Sequence, residues 1–206
     1  ERLSLSAVLC CIILLFASSV SAALVTVDFD NARENGFQVG SYIQDGYSGF
    51  KWTNFGVIDP VSLGEPFETS GYTNGIVSGS SVGFIHRGST ITNDGDLFDF
   101  SSAYLTAAWR DNVYVLDTGY LNGNSSYQDI LYIDSNSPTF IEFDYVGIDS
   151  LSFSSANGVD AGYGGSGSNV AIDDMRLNIS SVPEPSVLIL MLSGLIGLIS
   201  FKRKAI

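Results

Sequence analysis

Cysteine is nearly absent from this 206-residue chain. The two that occur, Cys10 and Cys11, sit side by side in an apolar N-terminal run. Residues 23–181 contain none, which excludes a disulfide framework and a thiol nucleophile there. Histidine is as scarce: His86 is alone, beside Arg87 and Gly88 in a polar turn, and reads as a surface residue. That argues against zinc, whose sites draw mostly on His and Cys ligands. Basic side chains are few, 9 Lys and Arg against 22 Asp and Glu. Within residues 23–181 the balance is 20 acids to five bases, a net charge near −15. A field of that sign repels nucleic acid and anionic lipid, so neither is an expected partner of this part. Apolar spacing of helical period is missing from it too, and no internal repeat of fixed length occurs.

What is present is most distinctive at the C-terminus. Val182, Pro183, Glu184 and Pro185 lead into an apolar run over 187–201, followed by Lys202, Arg203 and Lys204. A helix of 15 residues is about 22 Å long, short for a hydrocarbon core of about 30 Å. The three cations can snorkel to the headgroups and stay cytoplasmic. That places Pro183-Glu184-Pro185 across the membrane, extended and open to an enzyme, because prolines so spaced resist helix and sheet. An ordinary uncut anchor is the plainer alternative. These residues resemble the PEP-CTERM sorting signal in content and order. The resemblance covers about the last 25 residues. It implies recognition by an exosortase, cleavage near Pro183–Pro185, and delivery from the inner membrane to the cell surface or extracellular matrix of a Gram-negative bacterium.

The N-terminus reads as a second targeting element. Arg2 precedes an apolar stretch over 5–16, and Val20-Ser21-Ala22 supplies the small-x-small pattern of signal peptidase. Cleavage is expected between Ala22 and Ala23. Cys10 and Cys11 lie too early in the run to form a lipidation site. The chain therefore divides into a signal peptide over 1–22, a body over 23–181, and a sorting segment over 182–206 with a transmembrane helix at 187–201.

The body predicts an all-β fold, an antiparallel sandwich flanked by the two terminal helices. Gly, Ser, Asn, Asp and Tyr punctuate it every eight to twelve residues or so. Strands are expected over 24–30, 50–58, 81–85, 103–109, 113–119, 129–133, 139–145, 150–154 and 169–179. In the first, Val25, Val27 and Phe29 alternate with Thr26, Asp28 and Asp30, giving a buried face and a wet one. The early strand, with Val-Asp-Phe-Asp at 27–30, and the late one, with Ile-Asp-Asp at 172–174, resemble those of jelly-roll modules, many of them carbohydrate-binding. That resemblance implies first and last strands side by side, and it bears on fold rather than function.

Chemistry can be assigned to a few places. If the end strands pair, Asp28 or Asp30 with Asp173 or Asp174 could offer oxygens to a structural calcium ion, although turn capping uses the same groups. Asn93-Asp94-Gly95-Asp96 lacks EF-hand spacing and reads as a polar turn. A glycan surface needs aromatic platforms. Tyr72 and Tyr163 lie in Gly-rich loops and are expected to be exposed, whereas Trp52 and Trp109 fall in predicted strands and read as core. Three functions fit: a non-catalytic surface protein that contacts exopolysaccharide, a matrix glycan hydrolase using two of the carboxylates, and a structural adhesion component of a biofilm. The first is preferred. Replacing Pro183-Glu184-Pro185 by alanines is expected to leave an uncut precursor in the membrane fraction on an immunoblot. Normal processing of that variant would remove the motif from the recognition step.

Overall fold

The structure, a computed structural model, describes residues 23–32, 41–85 and 88–179. The signal segment, Ala22, His86, and the sorting residues Val182, Pro183, Glu184, Pro185, Lys202, Arg203 and Lys204 lie outside the described residues, as does the run over 187–201. Among the described residues no helix is long and apolar enough to cross a membrane.

Fourteen strands are present among the described residues, and every pairing is antiparallel. They are β1 (Ala23–Val27), β2 (Ser41–Tyr42), β3 (Lys51–Thr53), β4 (Gly56–Ile58), β5 (Val82–Ile85), β6 (Ser89–Thr92), β7 (Phe98–Ala107), β8 (Arg110–Asp111), β9 (Val113–Leu121), β10 (Asn124–Ile133), β11 (Thr139–Ile148), β12 (Ser150–Ala156), β13 (Val159–Asp160) and β14 (Val170–Ile179). Two four-residue helices, α1 (Pro60–Leu63) and α2 (Gly71–Asn74), are too short to leave a periodic trace in the sequence. Asp59 caps the first, accepting from the Ser62 amide at 3.0 Å, and Ser70 caps the second, accepting from the Tyr72 amide at 3.2 Å.

One sheet runs β11-β7-β14-β5-β4-β2, with β1 also on β14; a second runs β10-β9-β12-β6-β3, and β8 and β13 form a separate two-stranded ribbon. β14 lies beside β7 along one edge. Its other edge serves two strands in turn, β5 through Val170–Ile172 and β1 through Met175–Ile179. First and last strands are neighbours, as the jelly-roll resemblance implies. The fold is an antiparallel β-sandwich.

Aromatic side chains join the sheets. Phe100 of β7 meets Phe153 of β12 at 5.9 Å between ring centres and stacks on Phe143 of β11 at 4.3 Å. Phe55 meets Phe153 at 6.0 Å, and Phe50 meets Phe98 at 5.2 Å. The expected strand over 50–58 is two strands in different sheets. Asn54, at φ 56°, turns the chain between β3 and β4 and seats Phe55 in the core. Asn122 and Gly123 are both at positive φ between the paired residues Leu121 and Asn124, so β9 and β10 form a tight two-residue hairpin. Phe100→Ala should cost about 3–5 kcal/mol, because the ring bridges both sheets and its loss leaves a cavity. Urea unfolding measures this, and a loss below about 1 kcal/mol would contradict the bridging role.

Candidate binding site

The outer face of the first sheet carries a second apolar cluster. Alternation along the strands sends Val57, Ile85, Val170 and Ile172 inward and leaves Ile58, Val82, Phe84 and Ala171 facing out. The segment with α1 and α2 lies across these outward residues and adds Leu63, Phe67 and Tyr72; Trp109, just past β7, and Tyr163 complete the cluster. α2 touches the sheet backbone directly. The Gly71 amide donates to the Ala108 carbonyl at 2.9 Å, and a Cβ at Gly71 would stand 1.8 Å from the Ala107 oxygen. Only glycine allows that approach.

Between this cluster and the loop before β14 lies a cavity of about 410 Å³. Its described lining is aromatic and uncharged: Phe67, Tyr72, Phe84 and Trp109, with Ile58, Pro66, Gly165, Ser166 and Asn169. Tyr72 and Trp109 meet edge to face at 5.5 Å, and Phe67 meets Trp109 at 5.3 Å. The Asn169 side-chain amide donates to the Tyr72 hydroxyl at 3.0 Å, while the Asn169 backbone carbonyl accepts from the Ala108 amide at 2.9 Å. Burial pushes the Tyr72 phenol up to about 12, so it stays neutral.

Tyr72 is not the surface platform expected of a glycine-rich loop. It is 2% exposed, because that stretch folds into a capped helix pressed on the sheet. Tyr163 is half-buried; its hydroxyl accepts from the Asn74 amide at 3.3 Å, and Asn74 also donates to the Ser135 carbonyl at 2.9 Å. Two tyrosines chosen from separate loops thus meet around one cluster. Trp52 and Trp109 are both buried, but Trp109 follows β7 rather than lying in a strand, and it lines the cavity. Phe67 and Asn169 were not singled out in the sequence, where nothing marked them.

The end-strand aspartates accept hydrogen bonds from the protein's own amides and hydroxyls. Asp30 accepts from the Ser80 and Ser81 amides at 2.8 and 3.0 Å. Asp173 accepts from the Val77 and Ser78 amides at 2.8 and 3.0 Å and from the Asp174 amide at 2.8 Å. Asp174 accepts from the Ser78 hydroxyl at 2.8 Å, and Asp28 from the Asp30 amide at 3.2 Å. Together they tether the loop leading into β5 to the junction of β1 and β14. Burial pushes the Asp173 carboxyl up to about 6 against the pull of those amides. Among the described residues no group of three or more His, Cys, Asp or Glu is gathered as a metal site. Asp94 instead pairs with Lys51. Gly79-Ser80-Ser81-Val82-Gly83 has the spacing of a nucleophile elbow, yet it leads into a strand and Ser81 is buried, its amide on Asp30.

Gly165 lies against the Trp109 ring, and a Cβ there would stand 2.3 Å from ring carbons. Gly165→Ala should displace the ring and destabilise the body by about 1–3 kcal/mol. A changed tryptophan emission together with a lower melting temperature checks this; an unaltered spectrum and melt would mean that the loop does not rest on the ring.

Among curated proteins, none matches this chain. Similar solved structures include TmCBM61 in complex with beta-1,4-galactotriose, 9% identical, with a TM-score of 0.32, covering 66% of this chain and 97% of that one. Another is Clostridium perfringens ZmpB, solved as its M60 catalytic domain with the CBM51-1 and CBM51-2 domains. It is 16% identical with a TM-score of 0.29, over 50% of this chain, and this chain spans only 11% of its length. At the C-terminus the finding is specific: residues 181–204 match the PEP-CTERM protein-sorting motif.

Proposed function

We propose that this is an exported, non-catalytic surface protein, sorted by an exosortase through its C-terminal segment, whose body binds a neutral polysaccharide at the aromatic cavity. The sorting half rests on the motif at 181–204. Signal peptidase would act first, between Ala22 and Ala23. The exosortase would then act near Pro183–Pro185, with the membrane as a transient station on the way to the cell surface or exopolysaccharide matrix.

The binding half rests on one observation, the uncharged aromatic lining around Tyr72 and Trp109. Sugar rings present C–H faces that pack on aromatic carbon, with hydroxyls that need a small number of placed polar partners. Tyr72 and Asn169 in the wall, Ser166, and Tyr163 beside the cluster supply that chemistry. A cavity of about 410 Å³ falls at the small end of ordinary ligand sites. An acid body repels acidic polymers, which favours a neutral chain. The described lining includes no carboxylate, and glycoside hydrolysis uses two, which favours the binding reading. Calcium has no part in this reading, because Asp28, Asp30, Asp173 and Asp174 accept from amides and hydroxyls of the protein itself.

The test is affinity electrophoresis through gels containing neutral or acidic exopolysaccharides, with Trp109→Ala beside the parent chain and melting curves to confirm folding. Retardation by a neutral polymer, reduced tenfold or more by the substitution and unchanged by chelator, is expected. Equal retardation of both proteins would move the site elsewhere, and loss in chelator would restore a metal to the mechanism.

A further inference from the structure

At the other end of the second sheet, three titratable groups meet through one oxygen. Asp117 of β9 and Asp129 of β10 are directly opposite each other in the ladder. Tyr145 of β11, from the other sheet, places its hydroxyl on both. It reaches Asp129 Oδ2 at 2.9 Å and makes a still shorter hydrogen bond to Asp117 Oδ1. The Tyr145 ring stacks on Tyr127 of β10 at 4.8 Å, and the Tyr127 hydroxyl donates to the Val146 carbonyl at 3.3 Å. β10 and β11 are the end strands of their sheets, so these contacts tie two neighbouring edges together.

Counting hydrogens decides the protonation. A phenol carries one hydrogen and can donate to one carboxylate only. Two ionised carboxylates on the same hydroxyl would leave one contact with no hydrogen in it. The second hydrogen must come from a carboxyl that stays protonated and donates to the phenol oxygen. Asp117 is that group. It is 0% exposed, its Oδ2 has no hydrogen-bond partner, and its neighbour across the ladder on β12 is Phe153. The charge acting on it is that of Asp129, of its own sign, and the other facing group is Tyr145. Asp129, by contrast, is exposed to water. No substrate could reach a carboxyl buried as Asp117 is, so the pair is not an acid–base couple for catalysis.

We propose that Asp117, Tyr145 and Asp129 hold one removable proton, and that this proton latches the β10 edge of one sheet to the β11 edge of the other. The latch is closed in mild acid and loosens towards neutrality. Burial sets the direction, lifting Asp117 from 3.8 to about 6. Between those values the folded chain holds a proton that the unfolded chain has released, so stability falls as pH rises. The contribution is whole below the lower value and is lost through the upper one. Asp173 follows the same course at a separate place, so its part must be removed by Asp173→Asn in the test.

The experiment is amide hydrogen exchange on the full chain in mild detergent, between about pH 4.5 and 7.5, corrected for the intrinsic rates. All proteins carry Asp173→Asn, with and without Asp117→Asn. Opening of β10 and β11 should increase tenfold or more across this range, and Asp117→Asn, which supplies a permanent donor, should flatten the rise. An unchanged rise in the Asp117→Asn protein would overturn the proposal. If that variant does not fold, the side-chain carboxyl carbon of Asp117 in the parent chain gives the answer by nuclear magnetic resonance. It should titrate near pH 6, and an Asp117 ionised at pH about 4.5 would overturn the latch as firmly.

Discussion

Much of this body depends on how one strand shares an edge. β14 has β7 along one side, and its other side must serve β5 and then β1. Between those two partners the ladder has a gap at Asp173 and Asp174. Asp174 turns to φ 45° there, and the register with β7 slips between Asp173 and Arg176. Gaps of this kind leave backbone groups without ladder partners, which is costly in a buried place. Aspartates fill it. Asp173 and Asp174 take donors of the 77–78 stretch, and Asp30, just past β1, takes those of 80–81. The loop before β5 is tethered from both sides.

The same economy explains why so acidic a body gathers so few ligand-like clusters. Its carboxylates are spent locally, one on each irregularity. Asp111 accepts from the amide and hydroxyl of Ser135, which hold it below its ordinary value. Asp149 accepts from Asn122 at the hairpin, and Asp99 from Gly147 at a bulge. A carboxylate is a strong acceptor with room for several N–H groups, which suits turns that a helix or ladder would otherwise satisfy. Placing negative charge at many separate loops also spreads it over the surface. Lys51 pairs with one of these loop carboxylates, Asp94.

Strand alternation was legible wherever one face was wet. Val27 is buried and Val25 half-buried, as alternation implies, and the two valines of β9 face inward together; Phe29 is buried too, but past the end of β1 and at φ 61°. Strand ends were less so. β7 starts at Phe98 rather than Ala103, because Asp99 and Ser101 are outward polar positions that look like loop in isolation. β6 reads Ser-Thr-Ile-Thr and carries too little apolar signal to stand out, yet Ser89 and Ile91 are fully buried. The break at Asn54 leaves a trace that a single expected strand over 50–58 passes over: the apolar positions of the main core are Phe50 and Trp52 before it and Phe55 and Val57 after it, so the alternation changes phase at Asn54. Of the candidate site, the tyrosines were visible and their burial was not. Glycine-rich sequence marks close approach as well as freedom, and Gly71 uses it to bring a helix onto a strand.

That distinction bears on what the cavity can recognise. Its wall is built from outward residues of β4 and β5 with α2 and Trp109 packed on them, so the aromatic rings are held by the sheet. The opposite side is the loop with Gly162, Gly164 and Gly167, all at positive φ, whose Gly165 lies against the Trp109 ring. On the proposed function, a ligand would meet an aromatic floor held by the sheet and a rim formed by that loop. Rigid aromatic area is the part of a site that costs least to order on binding, while loop contacts must be ordered at the moment of contact. Affinity should then come from the floor and discrimination among ligands from the rim. On that reading, a change of loop sequence on a constant sandwich would alter the partner.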